Sequence, residues 1–133
     1  MSASKPHILV VDDEPNVLVT YRLILQQQGY EVNAAISSEE ARNTLQKGGV
    51  DLLLCDLSLE KQQSGFDVIQ FGREIDPGLS AVLLTGYASV EANDRAEREN
   101  IPVLFKPIAI QQLLTVIAEL LRKNNESRQA HGR

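Results

Sequence analysis

Short apolar runs alternate with amphipathic stretches along almost the whole chain. His7–Val11 is apolar, too short for a helix and bounded by Pro6 and Asp12, which predicts a buried strand. Glu14–Gln28 then sets Val17, Leu18, Tyr21, Ile24 and Leu25 at helical spacing. Pro15 falls early, where its missing N–H costs little, and Gly29 lies just past the end. Tyr30–Ile36 predicts a second strand. Ser37 or Ser38 can cap the next helix, with Glu39–Gln46 as its body and Gly48-Gly49 as its stop. Val50–Cys55 is apolar apart from Asp51, as a strand covered on both faces should be. A loop, Leu57–Ser64, leads to a helix over Gly65–Ile75 that ends at Asp76-Pro77-Gly78. Leu79–Leu84 predicts a fourth strand, Val90–Glu99 a short polar helix and Ile101–Phe105 a fifth strand. Ile110–Arg122 predicts the last helix, with Ile110, Leu113, Leu114, Ile117, Leu120 and Leu121 on one face. The remainder, Asn124–Arg133, has no apolar periodicity and is expected to be a frayed tail or the start of a linker.

This is a (βα)5 pattern. Strand–helix alternation with short connections implies a doubly wound α/β fold, a five-stranded parallel sheet with helices on both faces, because each crossover must be right-handed. At 133 residues the chain is long enough for one domain with its own core. The formal charge of −5 disfavours direct binding to nucleic acid or to an anionic membrane surface. A single cysteine, Cys55, rules out an intramolecular disulfide and suits a reducing, cytoplasmic setting. The short polar start, Met1–Pro6, does not read as a signal peptide, and no window approaches the ~18 apolar residues of a membrane span.

The polar residues that interrupt the strand ends carry the chemistry. Asp12 and Asp13 follow the first strand and Asp56 follows the third. In a parallel sheet the C-terminal strand ends share one edge, where open α/β sheets bind their ligands, so these carboxylates converge. Three carboxylates a few ångströms apart repel by roughly 1–4 kcal/mol per pair near a surface. A hard divalent cation held by oxygen ligands and water removes that repulsion, and Mg²⁺ fits the description. Lys106, after the fifth strand, aims a cation at the same edge, and Thr85, after the fourth, adds a hydroxyl. A carboxylate nucleophile, a metal cradle, a cation and a hydroxyl are what in-line phosphoryl transfer to an aspartate needs.

Four fragments, V-V-D-D-E, L-L-C-D-L, L-L-T-G and F-K-P, in this order and at strand ends, resemble the signature of the receiver domains of two-component response regulators, chemotaxis regulators among them. The resemblance covers about residues 7 to 123. It implies a receiver unit over residues 1–123, with 124–133 as a disordered tail or truncated linker, and a flavodoxin-like strand order of 2-1-3-4-5. By resemblance Asp56 is the phosphoacceptor. Asp12, Asp13 and Asp56, with the backbone carbonyl of Ser58, hold Mg²⁺, and Thr85 and Lys106 grip the phosphoryl oxygens. The Lys106–Pro107 bond is expected to be cis, and Gly86 to leave room for the donor. The expected partners are a histidine kinase or a histidine phosphotransfer protein as donor. An output partner or a second copy is expected on the face formed by the fourth helix, fifth strand and fifth helix.

The chain also departs from the family pattern. The family commonly has an aromatic residue three positions before the lysine; here that position is Val103, while Phe105 directly precedes Lys106. The switch is therefore expected to rest on Thr85 and on backbone movement in residues 86–92, with Tyr87 as the substitute aromatic. The loop L-S-L-E-K-Q-Q-S-G has Glu60 where the family often has proline, and is one residue longer before Gly65. Ser58 and Tyr87 occupy positions that tune autodephosphorylation in the family; neither is an acid or amide suited to orient water, which implies a long-lived phosphoryl group.

Two competing functions are weaker. A phosphatase working through an aspartyl-phosphate usually has a second acid two residues after the nucleophile, and here that residue is Ser58. A degenerate scaffold receiver would have lost its nucleophile or a metal acid, and all three acids are present. Cys55 reads as a core residue, and His7 and His131 are not expected to be ligands.

Overall fold

The computed structural model describes residues 5–59 and 63–131. Residues 1–4, 60–62 and 132–133, with part of the loop between the third strand and the third helix among them, lie outside the described residues. The strands are β1 (His7–Val11), β2 (Glu31–Ala35), β3 (Leu52–Asp56), β4 (Ser80–Thr85) and β5 (Val103–Phe105). The helices are α1 (Pro15–Gln27), α2 (Ser38–Lys47), α3 (Gly65–Ile75), α4 (Val90–Arg98) and α5 (Ile110–His131). All pairings are parallel, in the order β2-β1-β3-β4-β5.

The nearly unbroken apolar strands follow from burial on both sides. Successive side chains point to opposite faces, so Leu52 and Leu54 join Ile8, Val10 and Leu104 in one cluster, closed by Leu18, Leu25, Leu113 and Ile117 of α1 and α5. Leu53 and Cys55 join Leu9, Val11 and Leu83 in the other, beneath Leu45, Phe66 and Ala96 of α2, α3 and α4.

Local chemistry sets the helix ends. Pro15 starts α1, and Gly29, at φ +91°, takes the chain out of it. Ser37, rather than Ser38, caps α2 by accepting from the Glu40 N–H at 3.2 Å. Ser64 accepts from the Phe66 N–H and Asp67 accepts from the Ser64 N–H, a reciprocal cap on α3. In α4, the Ile101 N–H returns to the Ala96 carbonyl at 2.8 Å, with Asn100 at φ +58°.

The strand and helix boundaries differ from expectation in small ways with clear causes. β3 and β4 each run one residue further, to Asp56 and Thr85, because the ladder to their neighbours continues to those positions. β5 starts at Val103 instead of Ile101, since Ile101 is used to close α4.

The largest correction is α5. It continues to His131, through residues 124–131 that were expected to form a tail. Nothing in N-N-E-S-R-Q-A-H breaks a helix before Gly132. Arg122 also spans the junction, pairing with Glu119 and Glu126 at 2.8 Å each. Apolar periodicity marks where a helix packs, and a helix can outrun its packed face.

Candidate metal and phosphoryl site

Strand register assembles the site. Val11 pairs with Cys55 across β1 and β3, so Asp12 and Asp56 follow side by side. Thr85 pairs with Phe105 across β4 and β5, which brings Lys106 to the same edge. Backbone bonds carry this order past the strand ends: Asp12 N–H to Ala35 O at 3.1 Å, Leu57 N–H to Leu84 O at 2.8 Å and Lys106 N–H to Thr85 O at 2.8 Å.

Asp12, Asp13 and Asp56 each offer one carboxylate oxygen, and these lie within 4.8 Å of one another. Asp12 is 1% exposed and Asp56 7%. The Lys106 ammonium donates to Asp56 Oδ2 at 3.0 Å and stands 3.5 Å from Asp12 Oδ2. Backbone donors steady the other oxygens: the Glu14 N–H reaches Asp12 Oδ1 at 2.9 Å, and the Ser58 N–H reaches Asp56 Oδ1 at 3.1 Å. Asp12 Oδ2 is buried and accepts no hydrogen bond.

That oxygen, met by no hydrogen bond and only by the more distant Lys106 charge, tests whether a cation fits. Burial pushes the Asp12 carboxyl above its usual value, and Asp56 and Asp13 push it the same way, against the Glu14 N–H and Lys106. Burial disfavours the Lys106 charge, but the hydrogen bond to Asp56 and the charges of Asp12 and Asp56 outweigh it and raise its pKa. One lysine therefore serves carboxylates that it does not fully satisfy. An all-oxygen, anionic donor set with a buried oxygen that accepts no hydrogen bond fits a hard divalent cation such as Mg²⁺.

The remaining predicted residues are placed as follows. Ser58 is exposed and enters the site through its backbone N–H. Thr85 is buried, but its hydroxyl donates to the Tyr87 carbonyl at 2.6 Å and accepts from the Tyr87 N–H at 3.1 Å. Its proton is thus committed to the following loop. The Tyr87 side chain is 77% exposed. A Cβ on Gly86 would meet nothing within 4 Å. Val103 is half-buried against the core beneath α3 and α4, Phe105 is exposed, and the Lys106–Pro107 bond is cis. Cys55 is fully buried, and burial raises its thiol pKa with Asp56 adding to the effect.

Gly65, a helix start in the sequence, also belongs to this site. A Cβ on Gly65 would lie 2.5 Å from the Asp56 carbonyl oxygen, so the first turn of α3 is wedged behind Asp56. Its sequence signal is the Ser64-Gly65 pair at the helix start.

Known proteins resemble this chain in sequence and in fold. Residues 8–118 match the family described as the response regulator receiver domain. The alginate biosynthesis transcriptional regulatory protein AlgB of Pseudomonas aeruginosa is 34% identical over 121 residues, covering 90% of this chain and 27% of that protein. The transcriptional regulatory protein GlrR of Escherichia coli is 29% identical over 125 residues, covering 93% of this chain and 28% of that protein. The chain thus spans about a quarter of the length of these curated relatives. A CheY-like receiver domain protein from Methanospirillum hungatei superposes with a TM-score of 0.87 at 28% identity, covering 93% of this chain and 99% of that one.

Proposed function

Since the chain belongs to the response regulator receiver domains of two-component signalling, we propose that it is a phosphorylation-driven switch whose acceptor is Asp56. The observation that supports this most is the three-carboxylate cluster with the Lys106 ammonium 3.0 Å from Asp56 and a buried oxygen on Asp12 that accepts no hydrogen bond. Asp12, Asp13, Asp56 and the Ser58 carbonyl would hold Mg²⁺, with waters filling the remaining positions. When bound, the cation neutralises carboxylate charge and charge on the phosphoryl oxygens.

An Asp56 carboxylate oxygen attacks phosphorus. The P–N bond of the donor phosphohistidine breaks, and its electron pair stays on the imidazole. Lys106 then holds a phosphoryl oxygen in place of the carboxylate oxygen it holds at rest. Gly86 leaves the approach to the site open.

The phosphoryl oxygens also compete for the Thr85 proton. A charged acceptor forms a stronger hydrogen bond than the Tyr87 carbonyl does. When Thr85 turns to the phosphoryl group, the Tyr87 carbonyl and N–H lose their partner and the loop 86–92 is released. This couples phosphorylation to α4 without an aromatic residue at Val103. Tyr87, Val90, Phe105 and Ile110, all exposed, lie on or beside α4, β5 and α5, which supports that face as the docking site of an output partner or a second copy. The donor is a histidine kinase or a histidine phosphotransfer protein. No described helix is long and apolar enough to cross a membrane, and we place the protein in the cytoplasm.

Neither Ser58 nor Tyr87 supplies a base for hydrolytic water, so the phosphoryl group is expected to persist for many minutes. Loading the chain from a phosphohistidine donor in Mg²⁺, removing the donor and following the decay by intact mass checks this. A half-life of seconds would overturn the assignment of these two residues.

A further inference from the structure

Tyr21 is a buried side chain with a polar tip that the phosphoryl chemistry leaves unused. It stands on the inward face of α1 with Leu18 and Leu25, about 9 Å into a helix that begins at Pro15, just after Asp13. Long side chains on a helix lean back toward its N-terminus, which here carries the ring toward the edge where Asp12, Asp13 and Asp56 meet. The ring belongs to the same apolar cluster as Leu104 and Ile108, the residues that flank Lys106 two positions before and two after.

Each of the two side chains has a hydrogen bond to spare. The Tyr21 hydroxyl makes none to a described residue, yet it is not sealed in the core, so water meets it. Lys106 carries three N–H groups. One donates to Asp56 Oδ2 at 3.0 Å, a second faces Asp12 Oδ2 at 3.5 Å, and no described residue takes the third. The phenol also feels the charges of the site: burial pushes its pKa up, Lys106 draws it down, and Asp12 and Asp56 push it up again.

We propose that Tyr21 is a positioning residue for Lys106. The ammonium donates its third N–H to a water, and that water donates to the phenolic oxygen, whose ring is fixed in the core. Two carboxylates pull the ammonium from one side; the water anchored on Tyr21 holds it from the other. The ammonium thus stays aimed at the acceptor when a phosphoryl oxygen replaces the carboxylate oxygen it holds at rest. The effect on phosphoryl transfer rests on the reading of Asp56 as phosphoacceptor; the hold on the ammonium does not.

Tyr21→Phe removes the hydroxyl and keeps the ring. In the unphosphorylated, metal-free full chain with carbon-13-labelled lysine, the Lys106 Cε signal is assigned by its loss in Lys106→Met. In Tyr21→Phe that signal is expected to shift more than any other lysine signal. In single-turnover loading from acetyl phosphate at saturating Mg²⁺, Tyr21→Phe is expected to be about five-fold slower than wild type, the cost of one hydrogen bond, with Mg²⁺ affinity within about two-fold. In a Lys106→Met background the same substitution is expected to change the rate by less than about 1.5-fold, because the two residues act as a unit. An unmoved Lys106 signal, or equal slowing in both backgrounds, would overturn the proposal and leave Tyr21 a core residue alone. A wild type that fails to load would instead count against Asp56 as the acceptor, and the Lys106 signal would still decide the placement.

Discussion

Lys106→Met is expected to slow phosphoryl acceptance from a small donor by about 10²–10³-fold, the usual cost of removing one preorganised charge from a transferring group. The ammonium already sits 3.0 Å from Asp56 Oδ2 and 3.5 Å from Asp12 Oδ2, so a short shift from one oxygen to another brings it to charge developing on the phosphoryl group. Methionine keeps most of the aliphatic length, and the lysine side chain is about one-third exposed, so the fold should persist. Single-turnover loading from acetyl phosphate at saturating Mg²⁺ reads the effect. A rate within about three-fold of wild type would remove Lys106 from the chemistry.

Gly65→Ala is expected to destabilise the fold by about 1–3 kcal/mol and to slow loading as well. The new methyl would stand 2.5 Å from the Asp56 carbonyl oxygen and 2.7 Å from Leu83 Cδ2. A leucine methyl can turn aside; a strand-end carbonyl cannot move without carrying Asp56 with it. Gly72→Ala is the control. Its methyl would also meet an atom closely, Leu79 Cδ2 at 2.6 Å, but that atom is the tip of a flexible side chain. Thermal unfolding of the two variants should therefore show the greater loss for Gly65→Ala, and only that variant should load slowly. Equal losses, or normal loading in Gly65→Ala, would contradict the close fit behind Asp56.

The sheet was legible in the sequence because its physics is local and repetitive. Apolar runs of strand length, each closed by a turn residue, can be covered on both faces only in a parallel α/β fold. The chemical residues were legible for the same reason: Asp12, Asp56, Thr85 and Lys106 are polar groups that end apolar runs, and the shared strand edge brings them together. What was not legible depends on contacts between distant segments. No pattern near Thr85 shows that its hydroxyl is tied to Tyr87, nor does any pattern near Arg95 point to Phe66 nearly thirty residues earlier. The wedge of Gly65 behind Asp56 is likewise a property of the assembled strand and helix. The reach of α5 escaped for another reason, since residues 124–131 carry no apolar periodicity in the sequence and nothing but the Arg122–Glu126 pair and the lack of a breaker marks the continuation.

The most direct test of Asp56 as the acceptor is intact mass after incubation with acetyl phosphate, comparing wild type and Asp56→Asn, each with Mg²⁺ and with a chelator. Wild type with Mg²⁺ is expected to gain one acid-stable, base-labile phosphoryl group, with none in the chelated sample or in Asp56→Asn. An adduct of the same size on Asp56→Asn, or none on wild type under conditions where Mg²⁺ binding is demonstrated, would contradict the account.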